Sequence, residues 1–550
     1  MHVVPPAAAA TIAEHVGARP PVVPVICAAA GGALTSMAFP DLGWWPVAFL
    51  GLAALPLACR RLGVGATALA WFAWALGLFL PHLNWAREAA GPAAWLALAA
   101  LEATVVAVAG AAWSLARRAA FLGRFPGLRA IAFAAVWVTG EQLRSVVPFG
   151  GFPWGRLAFS QVDGPLLPIA SLGGAPGVSF AVALGGYALS AALVAAKRRE
   201  LRRAAAVIAA AVMALAPVAL LALPTQPEIG ELNLGAVQGN VPEIPGPGRA
   251  RQVLENHVSG TRQLAETRSG PVDLVVWPEN ATDIDPRTDP RAAAEVRAAV
   301  ESVGAPVLLG AMRYAPDARY NDVLVWDPKR GPTATYTKQR PAPFGEYIPL
   351  RPFVRMLSTE VDRVPVDMVA GQKPALLSVP STRLGRDVLA ATVICFEVAY
   401  DDVVRDAVTR GAEILLVPTN NASFGRTAQS TQQLAMSRLR AVEHGRATVQ
   451  ISTVGVSAII APDGTVLNST TLFTQGVMAA RLPLRTTLTT SDRLGGVPTA
   501  MAGTLAFAAV LGGATPRVRG RGSEHRRSTD DTGASDGASH PLAHAREAGR

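Results

Sequence analysis

One of the three cysteines in this chain, Cys395, lies in a β-branched run close to a glutamate. Cys395 lies in the stretch "TVICFEVAY" (392–400), at the end of a β-branched run and two positions before Glu397. A lone cysteine in an apolar run is usually a small core residue, whereas a reactive cysteine needs charged neighbours. Whether Cys395 is a core residue or a nucleophile therefore depends on which charged residues the fold brings to it.

Three further ionisable residues stand where a core strand would not need them. Glu279 ends the apolar run in "VVWPEN" (275–280), and Lys338 and Glu346 lie around the Pro- and Gly-rich turn in "YTKQRPAPFGEYIP" (336–349). Taken singly, Glu279 fits a solvated loop carboxylate and Lys338 fits a surface lysine.

Taken together, a thiol, a carboxylate and an ammonium are the groups that acyl transfer from an amide or ester requires. A free thiol has a pKa of about 8.5 and attacks as the thiolate, so it needs a proton acceptor. A carboxylate can take that proton, and an ammonium can stabilise both the thiolate and the tetrahedral oxyanion. A second carboxylate can keep the lysine charged and oriented.

The elements that would position these residues alternate between strands and helices from about residue 225 to 490. The candidate strands are 232–238, 272–279, 305–311, 320–328, 388–396, 413–420 and 447–460, and the candidate helices are 248–268, 290–303, 399–410 and 428–444. This alternation favours a layered α/β domain with a largely buried sheet. Asp463-Gly464 predicts a hairpin turn within 461–467.

The first 224 residues differ, being rich in Ala, Leu, Val, Gly and Trp and poor in carboxylates. Half of the 550 residues of the chain are apolar, only 16% are charged, and the mean hydropathy is +0.30. Eight segments are long enough to cross a bilayer as helices, the first two being short: 21–39, 43–59, 64–84, 92–115, 128–146, 168–196, 203–224 and 495–513. We predict a membrane domain of about seven transmembrane helices over 21–224, after a cytoplasmic segment (1–20), and a last span before a disordered basic cytoplasmic tail (514–550).

The basic residues predict the orientation of these spans. The formal net charge is +10, but the arginines cluster in short loops after every second apolar segment and in the tail, which disfavours nucleic-acid binding. By the positive-inside rule both termini face the cytoplasm, so residues 225–490 lie on the extracytoplasmic side. The wide spacing of the cysteines disfavours a disulfide framework and a zinc site.

The set around Cys395 resembles the nitrilase superfamily, whose Glu–Lys–Cys triad lies on an α-β-β-α sandwich. Glu279 stands in the "WPE" position, Lys338 follows the aromatic residue, and Cys395 stands in the "CFE" position beside Glu397. Glu346 in "PFGEY" fits the second, lysine-orienting glutamate of that family. The resemblance favours the nucleophile interpretation of Cys395 over the core interpretation.

A second resemblance selects one branch of that superfamily. The loop "EQLRSVVPFGGFPWGRLAFSQ" (141–161) is similar to the signature loop of bacterial apolipoprotein N-acyltransferases, as are "VQGNVP" (237–242), "PFGEYIP" (343–349) and "GVSAIIAPDG" (455–464). The resemblance implies a multi-pass enzyme of the bacterial cell membrane. Its Cys395 would take an acyl chain from a phospholipid and pass it to the α-amino group of the lipidated N-terminal cysteine of an apolipoprotein.

The same resemblance implies the roles of the individual residues. Glu279 would serve as general base, and Lys338 with the backbone N–H of Phe396 would hold the oxyanion. The reaction would need no metal and no organic cofactor. The chain departs from the family at two places: Phe396 replaces a tyrosine, and Ser423 replaces a tryptophan in "NNASFG" (420–425).

The stretch "YIPLRPFVRMLSTEV" (347–361) supplies candidate substrate-binding residues in Phe353, Met356 and Leu357. It fits either a packed core element or a mobile arm that touches lipid and covers the thioester. The arm interpretation is favoured slightly, because two prolines are expected to break regular structure there.

Two other functions compete with acyl transfer between lipids. A membrane-anchored nitrilase-type amidase would use water as the acceptor for small amides, but it needs only one anchor rather than an extensive membrane half. A transporter should carry charges or broken helices within its spans, and little besides Glu141 and Arg144 qualifies.

Overall fold

The computed structural model describes residues 21–515 apart from 243–245, 247, 269, 358–360 and 363, and apart from the side chains of residues 126, 219 and 357. The N-terminal segment 1–20 and the tail from residue 516 therefore lie outside the described residues. Between them the chain forms a helical region, an α/β region with two sheets, and a final helix.

A helix occupies each of the eight apolar segments predicted from the sequence. The helical region contains α1 (Val22–Ser36), α2 (Val47–Ala58), α3 (Val64–His82), α4 (Trp85–Ala116), α5 (Ala120–Arg124), α6 (Pro126–Arg144), α7 (Ala170–Lys197) and α8 (Leu201–Ala219). Among the described residues, five helical segments are long and apolar enough to cross a membrane: Val64–His82, Trp85–Ala116, Leu167–Lys197, Leu201–Val218 and Val497–Ala514. Helices α1 and α2 are shorter, and α6 carries Arg129, Glu141 and Arg144.

The α/β region follows in the chain order that alternation predicts. Its elements are β1 (Glu231–Gln238), α9 (Arg249–Thr267), β2 (Leu274–Val276), α10 (Pro290–Val303), β3 (Val307–Ala315), β4 (Ala318–Asp327), β5 (Gly331–Thr337), α11 (Arg351–Leu357), β6 (Leu376–Ser381), β7 (Arg386–Thr392), α12 (Asp401–Thr409), β8 (Ile414–Thr419), α13 (Gln429–His444), β9 (Thr448–Ser452), β10 (Ala458–Ile460), β11 (Val466–Ser469) and β12 (Gly476–Pro483). The short α14 (Thr490–Leu494) and α15 (Val497–Ala514) end the described chain.

These strands form two six-stranded sheets with matching topology. The orders are β12-β1-β2-β3-β4-β5 and β11-β10-β9-β8-β7-β6, and the strands at the centre of each sheet run parallel. Alternate residues of β2 point to opposite faces: Leu274 and Val276 pack in the core that also contains the second sheet, whereas Val275 packs under α9 and α10. The result is the predicted α-β-β-α sandwich.

Some strand predictions were wrong in their extent. The segment 447–460 is two antiparallel strands, β9 and β10, because the chain turns between Thr453 and Ser457. Strands β5, β6 and β12 were not predicted, since they lie at or next to sheet edges and carry little unbroken apolar sequence. The hairpin at Asp463-Gly464 is confirmed: it joins β10 to β11, and Gly464 has a φ of 84° that favours glycine.

A buried ion pair holds the loop that follows α6. Arg144 lies 2.9 Å from Glu102 of α4, and the same guanidinium nitrogen donates to the carbonyls of Phe152 (2.8 Å) and Trp154 (2.6 Å). Both charged side chains are buried, so the pair compensates charges that would otherwise be costly in this surrounding. Arg144 thereby fixes the loop that reaches the α/β region.

Candidate active site

Cys395 begins a tight turn rather than ending a strand. Strand β7 ends at Thr392, and residues Cys395–Ala399 form a single 3-10 turn in which Cys395 has a φ of 54°. The predicted strand 388–396 is therefore wrong over its last four residues. A positive φ is uncommon for a residue other than glycine and concentrates at functional sites. The turn leaves Cys395 at the carboxyl edge of the parallel strands, only 9% exposed.

Lys338 contacts two of the other predicted site residues, Glu279 and Glu346, directly. Its ammonium lies 3.0 Å from Oε1 of Glu279 and 2.8 Å from Oε1 of Glu346. Lys338 follows β5, Glu279 lies just beyond β2, and Glu346 lies in the loop before α11. The other oxygen of Glu346 accepts the backbone N–H of Ala342 at 2.6 Å, which fixes the carboxylate that holds the lysine. Lys338 is only 1% exposed.

The charges of this group act on the Cys395 thiol. Burial, reinforced by the nearby Glu279 carboxylate, raises the pKa of Cys395 to about 12, and the Lys338 ammonium opposes that rise. Burial would lower the pKa of Lys338, but Glu279 and Glu346 outweigh it and raise that pKa well above 10.5. At neutral pH the resting state is therefore a neutral thiol beside a charged lysine, and the thiol needs a base at the moment of attack.

Glu397 lies in the core of the same site, where it receives hydrogen bonds from two segments. It accepts the backbone N–H groups of Ile394 (2.7 Å), Gln339 (2.6 Å) and Arg340 (3.0 Å), and the hydroxyl of Tyr336 (2.9 Å). Burial raises the pKa of Glu397, and the Lys338 charge together with the donors of Ile394, Arg340 and Tyr336 opposes the rise. Glu397 thus ties the turn of Cys395 to the segment that carries Lys338.

Phe396 packs against the loop that Arg144 holds. Its ring stacks on those of Phe152 (5.5 Å between centroids) and Trp154 (5.9 Å). Tyr400, which follows the turn of Cys395, donates its hydroxyl to the carbonyl of Gly151 at 3.0 Å. The helical region therefore contributes directly to the surroundings of Cys395. The sequence placed Phe152 and Trp154 in a motif but did not place them against Phe396.

The second difference from the family pattern, Ser423 in place of a tryptophan, lies in the segment after β8. Ser423 is exposed, and the next residue, Phe424, packs its ring edge-on against Trp85 at 5.2 Å. Phe424 therefore contributes an aromatic contact between this segment and the helical region.

The candidate lipid-binding residues lie on a short exposed helix. Phe353 and Met356 of α11 are 55% and 76% exposed, and the side chain of Leu357 lies outside the described residues. The expectation that the prolines exclude regular structure is wrong, because Pro352 occupies the first helical turn, where its missing N–H costs nothing. Neighbouring Ile348 is buried, so the segment is anchored at its start and exposed along α11.

Two polar residues of the site were missed by the sequence analysis. Asn321 on β4 donates its amide to Oε1 of Glu279 at 2.6 Å, and Thr419 at the end of β8 contacts Cys395. Thr419 is a buried polar residue at the end of an otherwise apolar strand, and this is the signal that could have marked it. Asn321 is also buried, but it stands beside Tyr320 and Asp322 in β4 and carries no such signal.

The comparisons with known proteins agree with this architecture. Residues 31–188 match the apolipoprotein N-acyltransferase N-terminal domain, and residues 233–491 match the carbon-nitrogen hydrolase domain. The fold and the two matches together define a carbon-nitrogen hydrolase, or nitrilase-like, enzyme with a helical membrane region.

Relatives that match over most of this chain identify the family within that class. The apolipoprotein N-acyltransferase of Mycolicibacterium smegmatis is 36% identical over 505 residues, which cover 86% of this chain and 82% of that protein. The corresponding Azotobacter vinelandii protein is 33% identical, covering 82% and 88%. This chain belongs to the apolipoprotein N-acyltransferase family. It is a bacterial membrane acyltransferase of lipoprotein biosynthesis, and the amidase alternative is less well supported.

A nitrilase-superfamily amidase from Nesterenkonia AN1 is 18% identical, with a TM-score of 0.36, and the alignment covers 47% of this chain and 94% of that chain.

Proposed function

We propose that this enzyme takes a fatty acyl chain from a membrane phospholipid, holds it as a thioester on Cys395, and passes it to the α-amino group of the lipidated N-terminal cysteine of an apolipoprotein. The observation that carries the proposal is the pair of contacts from Lys338 to Glu279 and Glu346 beside a buried thiol. They place a base (Glu279), a cation (Lys338) and a nucleophile (Cys395) in one buried site.

In the first transfer Glu279 takes the thiol proton while the Cys395 sulfur attacks the ester carbonyl of the phospholipid. The Lys338 ammonium and the backbone N–H of Phe396 stabilise the oxyanion. The ester C–O bond then breaks, and the lysophospholipid leaves with the proton returned from Glu279. The products are a thioester on Cys395 and a neutral leaving alcohol.

In the second transfer the amine of the apolipoprotein attacks the thioester carbonyl. Glu279 accepts the proton that the amine loses, the C–S bond breaks, and the Cys395 sulfur leaves and recovers a proton from Glu279. An amide has formed and the enzyme has returned to its starting state. Glu346 keeps Lys338 oriented, and Glu397 keeps the two reacting segments together.

The surroundings of the site support lipid substrates. Phe353 and Met356 present exposed apolar side chains on α11, and the exposed Phe149 of the loop after α6 contacts Phe344 at 5.9 Å. An exposed apolar surface beside membrane helices is typical of a surface that meets lipid. In this proposal residues 225–490 form the catalytic domain on the extracytoplasmic side, where both membrane-anchored substrates present their reacting groups.

The proposal is tested by mass spectrometry of the purified full chain after incubation with vesicles of phosphatidylethanolamine and phosphatidylglycerol. We expect one fatty-acyl addition on the peptide that contains Cys395, removable by hydroxylamine because it is a thioester. The Glu279→Gln variant serves as the negative control and should show no fatty-acyl addition on this peptide. An adduct on Cys27 or Cys59, or none at all, would contradict the proposal.

A further inference from the structure

The hydroxyl of Thr419 lies against the sulfur of Cys395. Strands β7 and β8 are parallel neighbours, with Thr392 aligned with Leu416, so their carboxyl ends lie side by side. Thr419 is the last residue of β8 and is fully buried, and its Oγ1 lies 3.1 Å from Cys395 Sγ. Against the rise that burial causes, this contact and the backbone N–H of Asn420 act to lower the thiol pKa.

The same hydroxyl has a second acceptor. Oγ1 of Thr419 lies 2.9 Å from Oε1 of Gln433, a fully buried residue of α13. A hydroxyl carries one proton, so it donates either to the sulfur or to Gln433 at any moment. When the sulfur is a thiol, its own S–H can donate to Oγ1 while Thr419 donates to Gln433.

A chain of hydrogen bonds fixes the orientation of the Gln433 amide. Asn421 Nδ2 donates to Gln433 Oε1 at 2.9 Å, and Asn421 Oδ1 accepts the Ser452 hydroxyl at 2.5 Å. The backbone N–H of Gly455 donates to Ser452 Oγ at 2.8 Å. The Ser452 hydroxyl proton therefore remains free to donate to Asn421 Oδ1. In this orientation Gln433 presents its oxygen to both Thr419 and Asn421, and its buried Nε2 has no hydrogen-bond partner among the described residues. Asn421 still satisfies the Gln433 oxygen when the Thr419 hydroxyl turns to the sulfur.

We propose that Thr419 is a catalytic residue whose hydroxyl donates a hydrogen bond to the Cys395 thiolate, and that Gln433 is the positioning residue that accepts this hydrogen bond whenever the sulfur carries no charge. The inference rests on the proposed role of Cys395 as nucleophile. As Glu279 removes the thiol proton, Thr419 keeps its own proton and turns it from Gln433 to the sulfur. The thioester carries no negative charge, so the Thr419 hydroxyl donates to Gln433 again. It turns back to the sulfur when the thiolate leaves in the second transfer.

The test is the rate of iodoacetamide alkylation of Cys395 between pH 7 and pH 10, measured on the full chain in detergent by peptide mass spectrometry. Thr419→Val keeps the shape of the side chain but lacks the hydroxyl, and a hydrogen bond to a charged group corresponds to a rate loss of about ten- to hundredfold. Thr419→Ser keeps the hydroxyl and should react like the parent chain. If the valine variant does not fold, Thr419→Ala removes the same hydroxyl and carries the same expectation.

The matched control is Thr448→Val, a buried threonine at the opposite end of the adjacent strand β9, whose hydroxyl bonds to the Arg446 carbonyl. It should alkylate like the parent chain. Valine and parent rates that agree at every pH, or a serine variant as slow as the valine variant, would overturn the assignment of Thr419. Because alkylation needs no lipid substrate, that failure is distinct from failure of the proposed function, which would appear as product formation by Cys395→Ala.

Discussion

Replacing Glu346 by glutamine should slow the first acyl transfer without abolishing it. The carboxylate of Glu346 accepts from Lys338 Nζ with one oxygen and from the Ala342 N–H with the other. A glutamine has one oxygen, so it can satisfy only one of these donors, and its NH₂ group meets the other. Because the amide is also uncharged, Lys338 loses its charge-assisted hydrogen bond to position 346 while it keeps the one to Glu279.

The size of the effect follows from the exposure of the pair. A hydrogen bond to a charged group contributes about 1.5–3 kcal/mol, and the Glu346 side chain is 18% exposed, which favours the lower half of that range. A loss of about 1.5–2 kcal/mol in the transition state corresponds to about ten- to thirtyfold in rate. Glu279→Gln should instead remove the proton acceptor and leave no measurable acylation.

The assay is single-turnover formation of the acyl adduct on the Cys395 peptide, followed by mass spectrometry. Glu295→Gln is the matched control, since Glu295 pairs with Arg251, its side chain is 22% exposed, and it lies on α10 away from the site. It should acylate like the parent chain. A Glu346→Gln rate equal to that of the parent, or one as low as that of Glu279→Gln, would refute the assignment of Glu346 as a residue that only orients Lys338.

Three further predictions concern the Cys395 thiol, the exposed helix α11 and the orientation of the chain in the membrane. Because burial raises the pKa of Cys395 to about 12, its thiolate fraction should grow about tenfold for each pH unit, and its alkylation rate should rise without a plateau from pH 7 to pH 10; a plateau below pH 9 would contradict this. Changing Phe353 and Met356 together to serine should lower adduct formation from vesicles by about thirtyfold, at about 1 kcal/mol for each side chain that contact with lipid would half bury, and should leave alkylation unchanged; equal adduct formation would remove α11 from lipid binding. A reporter fused after residue 300 should be active only outside the cytoplasm and one fused after residue 520 only inside, and the reverse pattern would overturn the topology.

The fold class could be predicted because its signals are local. Strand and helix alternation gave the α/β region, and the long apolar segments gave the helices before it. The turn at Cys395 could not be predicted, since β-branched residues run up to the cysteine and nothing in "TVICF" indicates a positive φ. That conformation depends on Glu397, whose hydrogen bonds to Gln339 and Arg340 join segments almost sixty residues apart in the chain.

For the candidate site, the sequence could predict which residues take part but not which contacts they make. The sequence pointed to Glu279, Lys338 and Cys395, but their contacts depend on the edges of two different sheets. The stacking of Phe396 on Trp154 joins positions that are far apart in the chain and belong to different regions. Thr419 escaped notice because a single polar residue in a buried strand has many structural explanations, and Asn321 because it stands among the other polar residues of β4.

The most direct test of the account is whether Cys395 carries the acyl chain between the two lipid substrates. Purified enzyme, phospholipid vesicles and a diacylglyceryl-modified lipopeptide are combined, and the N-acylated product is measured by mass spectrometry. Cys395→Ala should give neither adduct nor product, whereas Cys27→Ala and Cys59→Ala should give both. Cys395→Ser should at most form an oxygen ester slowly and fail in the second transfer, because an alcohol is far harder to deprotonate than a thiol and its ester is a poorer acyl donor. N-acylated lipopeptide produced by Cys395→Ala would contradict the account.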